Sequence, residues 1–171
     1  MMPHYLVDQL RFAKEAFIEG LDGLSAEDAT KRVGHANSIS WMVGHLAEFD
    51  QDMWLTVAQG KTPYASLAQF AYGEPATTPP LADVLKLWHE VNALVVPYLA
   101  TLDTEQMDGH LTLTIDGEQS RENVGTILLR QTWHYWYHLG EAQAIRQGLG
   151  HEDLLQYVGR MDDFAMHRPC S

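Results

Sequence analysis

The chain has 171 residues and a mass of 19.3 kDa, with 46% hydrophobic and 20% charged residues, a composition that excludes disordered and fibrous classes and fits one domain over residues 1–171. Eleven Lys and Arg against 23 Asp and Glu leave a net charge of −12, which repels phosphate backbones and anionic lipid, so neither nucleic acid nor a membrane surface is an expected partner. One cysteine, Cys170, excludes an internal disulfide and any Cys-based zinc finger, and its place beside the C-terminus gives it no assigned role.

Residues 1–17 carry Asp8, Arg11, Lys14 and Glu15, so they offer neither a secretory core nor a membrane span, and a cytoplasmic location is expected. Leu6, Leu10, Ala13, Phe17 and Leu21 recur at helical spacing and predict a first helix ending near Gly20 to Gly23. The mixed stretch from Ser25 to His35 holds at most a short helical turn that connects rather than packs. From Ser38, an N-cap, the stripe Met42, Leu46, Phe49, Met53 and Val57 predicts a second helix that runs to Gly60.

Lys61 to Pro80, with Pro63, Pro75, Pro79 and Pro80, reads as a long crossing. Leu81, Val84, Leu85, Trp88, Val91, Val95 and Leu99 mark a third helix, which Pro97 is expected to kink or end. The period then drops to two across Leu111, Leu113 and Ile115, and Asp116-Gly117 signals a short β-hairpin. A fourth helix follows from Val124 through Ile127, Leu128, Gln131, Tyr135, His138, Ala142 and Ile145 to the glycines at 148 and 150. The apolar residues between His151 and Ser171 suggest one more short helix. The fold class expected is all-α, a four-helix bundle with a long crossing between its second and third helices and a hairpin before the fourth.

Nine histidines are many for this length, and His134 and His138 stand four apart on the most periodic helix. At 100° per residue His138 falls on the apolar stripe and His134 about 60° to one side, with His45 about 60° from the second helix's stripe, so all three imidazoles face inward. Three neutral imidazoles are a ligand set for one divalent transition metal, zinc or nickel, with a further position left for water or a thiol that the ion would activate as a nucleophile. Gln131, Glu48 and Glu141 lie one turn from a ligand, and Asp52 two turns from His45 on the same face, and these could hold the second ring nitrogens. The competing reading of the same residues is a set of hydrogen-bonded core histidines. HExxH, Glu-x-x-His, GxSxG, P-loop and GxGxxG patterns are absent, which removes zincin, di-iron, hydrolase, nucleotide triphosphatase and dinucleotide chemistry.

The stretch from Asn37 to Glu48, with Trp41 and His45, and the stretch from Val124 to Ala142, with HxxxHxG over His134, His138 and Gly140, resemble the DinB-like superfamily of four-helix metalloproteins. The resemblance implies His45, His134 and His138 as the metal ligands. This chain departs from the common pattern at Glu141, where Gln is frequent, and at Arg130, where His is frequent; both adjoin the site. The resemblance further implies a metal-dependent transferase or hydrolase acting on a small substrate with a low-molecular-weight thiol, or else a stress-related binding protein without catalysis. It also implies a homodimer.

Overall fold

The computed structural model describes residues 3–112, 114–115, 118–155, 158 and 161. Apart from one two-residue strand pairing, the regular structure of the described chain is helical: α1 (Tyr5–Glu19), α2 (Ala26–Thr30), α3 (Ile39–Gln51), α4 (Leu81–Leu99), β1 (Thr114–Ile115), β2 (Glu118–Gln119) and α5 (Val124–Gly148). No described helix is long and apolar enough to cross a membrane. The chain divides into two compact units, one of Met1–Asp22, Leu99–Gln143 and Asp153–Ser171, the other of Gly23–Tyr98 and Ala144–Glu152.

In the first unit, α1 starts where the His4 ring accepts a hydrogen bond from the Leu6 amide at 3.3 Å, and its apolar face of Leu6, Leu10, Ala13 and Phe17 is buried, as the spacing predicts. Phe17 meets Tyr135 edge-on at 5.8 Å and Phe12 meets Trp136 at 5.6 Å, which sets α1 against α5. At its end Gly20 lies so close to Leu139 that a β-carbon there would collide with it, while Gln143 donates to the Gly20 carbonyl at 2.9 Å. Asn123 opens α5 by accepting from the Thr126 amide at 2.8 Å. Before it, Thr114 pairs with Gln119 and Ile115 with Glu118, antiparallel; Asp116 and Gly117, which carry the hairpin signal, lie outside the described residues.

The second unit packs α2, α3 and α4 around Ile39, Met42, Leu46, Trp54, Leu67, Phe70, Val84 and Val91. Ser38 caps α3 by accepting from the Trp41 amide at 3.2 Å. The helix runs to Gly60 as the stripe suggests, but its winding changes on the way: after Gln51, Asp52–Val57 forms a wider π-turn, Ala58 and Gln59 return to α winding, and Gly60 ends it with a left-handed φ of 67°. Apolar spacing of three and four survives one wide turn, which is why periodicity alone does not register it. Ser25 to His35 contains α2, and its Ala29 is fully buried, so this stretch packs rather than merely connects. The Pro-rich crossing likewise contains a 3₁₀ turn over Ala65–Phe70 that buries Leu67 and Phe70. Pro97 sits inside the last turn of α4, which continues to Leu99. Past α5, His151 accepts from Arg146 at 3.1 Å and reaches Asp28 at 3.3 Å, binding that turn to α2. The residues that would form the expected tail helix, and Cys170 with them, fall mostly outside the described residues.

Candidate metal centre

His45 is placed by the straight, capped run of α3, with Gly44 beside it leaving room for the Phe70 ring, which would lie 2.8 Å from a β-carbon at that position. Its ring is buried and stacked on Trp41, centroids 4.9 Å apart and planes 13° from parallel. His45 Nδ1 lies 2.8 Å from the Phe70 carbonyl oxygen. A carbonyl only accepts, so Nδ1 carries the proton and Nε2 keeps its lone pair.

On α5, His138 is buried and its Nδ1 lies 2.7 Å from Glu141 Oε2. The carboxylate accepts there, which again leaves Nε2 as the basic nitrogen. That atom is 2.9 Å from His134 Nε2. Two nitrogens on one zinc-sized ion stand about 3 Å apart, so this spacing suits a shared cation. One ring nitrogen from each of His45, His134 and His138 lies within 4.8 Å of the others. The donor set fits a divalent ion, because two of the three rings have their other nitrogen bonded to an oxygen that fixes the ligating tautomer.

The flanking residues divide. Glu141 is half-buried and holds His138, as its spacing suggests; it also accepts from the Tyr137 hydroxyl, which raises the Tyr137 pKa. Gln131 is fully buried. Glu48 and Asp52 are half-buried on the side of α3 that carries His45; burial first, then the Asp52 charge, pushes the Glu48 carboxyl up to about 7, and burial raises Asp52 as well. Arg130 is exposed and forms an ion pair with Glu122, an attachment that no motif announces. Two groups escape sequence reasoning: the Phe70 carbonyl, a backbone atom with no side-chain signature, and Trp41, whose position four before His45 is the available cue. The Trp41 indole Nε1–H is buried without a hydrogen-bond partner among the described residues.

The profile of the DinB superfamily matches residues 9–142. That span contains all three histidines, and the chain belongs to this superfamily. No curated protein sequence matches it.

Proposed function

We propose that His45, His134 and His138 hold one divalent transition metal, zinc or nickel, in a single four-helix bundle domain, with the β1–β2 pairing as a hairpin before α5, and that this centre serves a transferase or hydrolase reaction on a small substrate. The observation that carries the reading is the convergence of three imidazole nitrogens within 4.8 Å. When bound, such an ion supplies Lewis acidity that lowers the pKa of a thiol or water. The chain's own residues do the rest. Phe70 and Glu141 hold the rings of His45 and His138 in the ligating tautomer, and the Trp41 ring fixes the plane of His45. Glu48 is half-buried one helical turn from His45, where a carboxyl is suited to exchange a proton with a group held at the centre. A half-buried proton acceptor favours catalysis over a purely binding role for the same centre. Low-molecular-weight thiols are the first co-substrates to test, since the family resemblance supports them. Gln131, Asp52 and Arg130 are assigned to the surroundings of the site, and the site of action is the cytoplasm.

The test is elemental analysis of untagged protein purified without chelators or nickel resin, beside His138→Ala. About one equivalent of a divalent metal per chain is expected, falling at least about tenfold in the variant. Full metal content in His138→Ala, with helicity retained, would overturn the ligand assignment.

A further inference from the structure

Where the π-turn gives way to the Pro-rich crossing, the second unit holds a half-open cavity of about 270 Å³ lined by Leu55, Gln59, Lys61, Thr62, Pro63 and Leu94. None of these residues belongs to the histidine centre, and Leu55 lies about 15 Å along the helix from His45. The body of the cavity is apolar. Leu55 is buried at its base, the Pro63 ring is rigid, and Leu94 on α4 is 46% exposed, so a large apolar side chain stands partly in water beside it.

The polar groups at its rim are engaged except at one atom. Gln59 Nε2 donates to the Trp54 carbonyl at 2.7 Å, which leaves Gln59 Oε1 to accept from Lys61 Nζ at 3.3 Å. The Thr56 hydroxyl donates to the Lys61 carbonyl at 3.4 Å; it has one proton to give, so the Thr62 hydroxyl donates to Thr56 at 3.0 Å. The Lys61 amide donates to the Leu55 carbonyl at 2.9 Å. These bonds hold the rim against the π-turn and shape the cavity before any ligand arrives. Only the Lys61 ammonium has donors to spare, since Gln59 takes one of its three. Lys31 and Lys86 stand 2.8 and 2.7 Å from the carboxylates of Asp28 and Glu90, whereas no carboxylate among the described residues meets Lys61. In a chain with 23 acidic residues, that cation sits on a neutral amide at the mouth of an apolar cavity.

We infer that this cavity binds a small carboxylate with an apolar body, its anionic end on Lys61 Nζ and its carbon chain against Leu55, Pro63 and Leu94. The volume equals that of about nine water molecules and falls just under the usual range for ligand pockets, so the body is limited to about six carbons. Two spare donors on one nitrogen suit a monoanion; a phosphate is normally met by more donors than this rim can offer. Binding here is independent of the histidine centre.

Titration of the full chain with hexanoate, followed by amide proton–nitrogen NMR, tests this. The amides of Leu55, Gln59, Lys61, Thr62 and Leu94 are expected to shift together and to saturate with a Kd on the order of 1 mM. Acetate keeps the charge without the body and is expected to bind at least about tenfold more weakly; hexanol keeps the body without the charge and is expected to bind at least about threefold more weakly. Lys61→Met is expected to weaken hexanoate at least about threefold and to leave hexanol unchanged, with Lys61→Arg retaining the wild-type preference. Both substitutions fall on an exposed side chain, so the fold is expected to survive them, and the hexanol titration reports whether the cavity is intact. Because a carboxylate can also ligate a metal ion, the titration is repeated after chelation, where the shifts at these five amides are expected to persist. Unshifted amides around the cavity, hexanol binding as tightly as hexanoate, indifference to Lys61→Met, or shifts that vanish on chelation would overturn the inference.

Discussion

Glu48 is a carboxyl whose proton the fold retains where an unfolded chain would release it. Its folded pKa of about 7 lies above the ordinary 4.5, so between these values the folded state binds more protons and stability falls as pH rises; above 7 the loss is complete. Glu48→Gln removes that dependence. In metal-free protein the variant is expected to match wild type near pH 4 and to exceed it near pH 8 by on the order of 1 kcal/mol, the full linkage value being reduced by the solvent that still reaches the group. Urea denaturation at the two pH values measures the difference, and equal curves at pH 8 would show that the carboxyl is ionised without cost. At this scale the imidazoles were the legible part of the site. Their inward direction follows from spacing alone, because a fixed 100° per residue carries position into direction. The partners of those rings were half legible: Glu141 sits three residues from His138 and is found by the same arithmetic, whereas Phe70 acts through a carbonyl 25 residues from His45, where no local rule reaches.

Among the elements, the turn Ala65–Phe70 matters more than its proline-rich setting suggests. Phe70 puts its ring against Gly44 and its carbonyl against His45, so one residue both fills the core and fixes a candidate ligand. Gly44→Ala forces that ring back: its β-carbon would lie 2.8 to 3.0 Å from three ring atoms of a residue only 2% exposed. A loss of about 1–3 kcal/mol in stability is expected, together with weaker metal binding, since the carbonyl moves with the ring. Thermal melts and a metal titration would show both; a destabilised protein with unaltered metal affinity would separate the two roles of Phe70. The four long helices were legible because each carries an apolar stripe bounded by a cap or a glycine or, for α4, by Pro79 and Pro80 before it. The short turns were not, since five or six residues give periodicity too little length to act on, and packing of Ala29, Leu67 and Phe70 decides them instead.

For the molecule as a whole, metal and folding are linked through mass action. An ion present at a thousandfold over its dissociation constant adds about 4 kcal/mol, which for a chain of this length corresponds to roughly 10 °C in Tm. Chelation is expected to remove that increment from wild type and to leave His138→Ala unchanged, as read by differential scanning calorimetry. If wild type melted at one temperature with and without chelator, the centre would contribute nothing to stability at the metal concentration used. The wide turn at Asp52–Val57 bears on how such a chain can change over generations. A π-turn is a regular helix with an extra residue lodged in it, so a one-codon deletion within it restores ordinary winding downstream of His45 and Glu48 and leaves both where they are. The same deletion between Ser38 and His45 would swing the ligand by about 100° around the axis. A one-residue change of length in this helix is therefore expected to spare His45 and Glu48 when it falls within Asp52–Val57 and to displace them when it falls before His45.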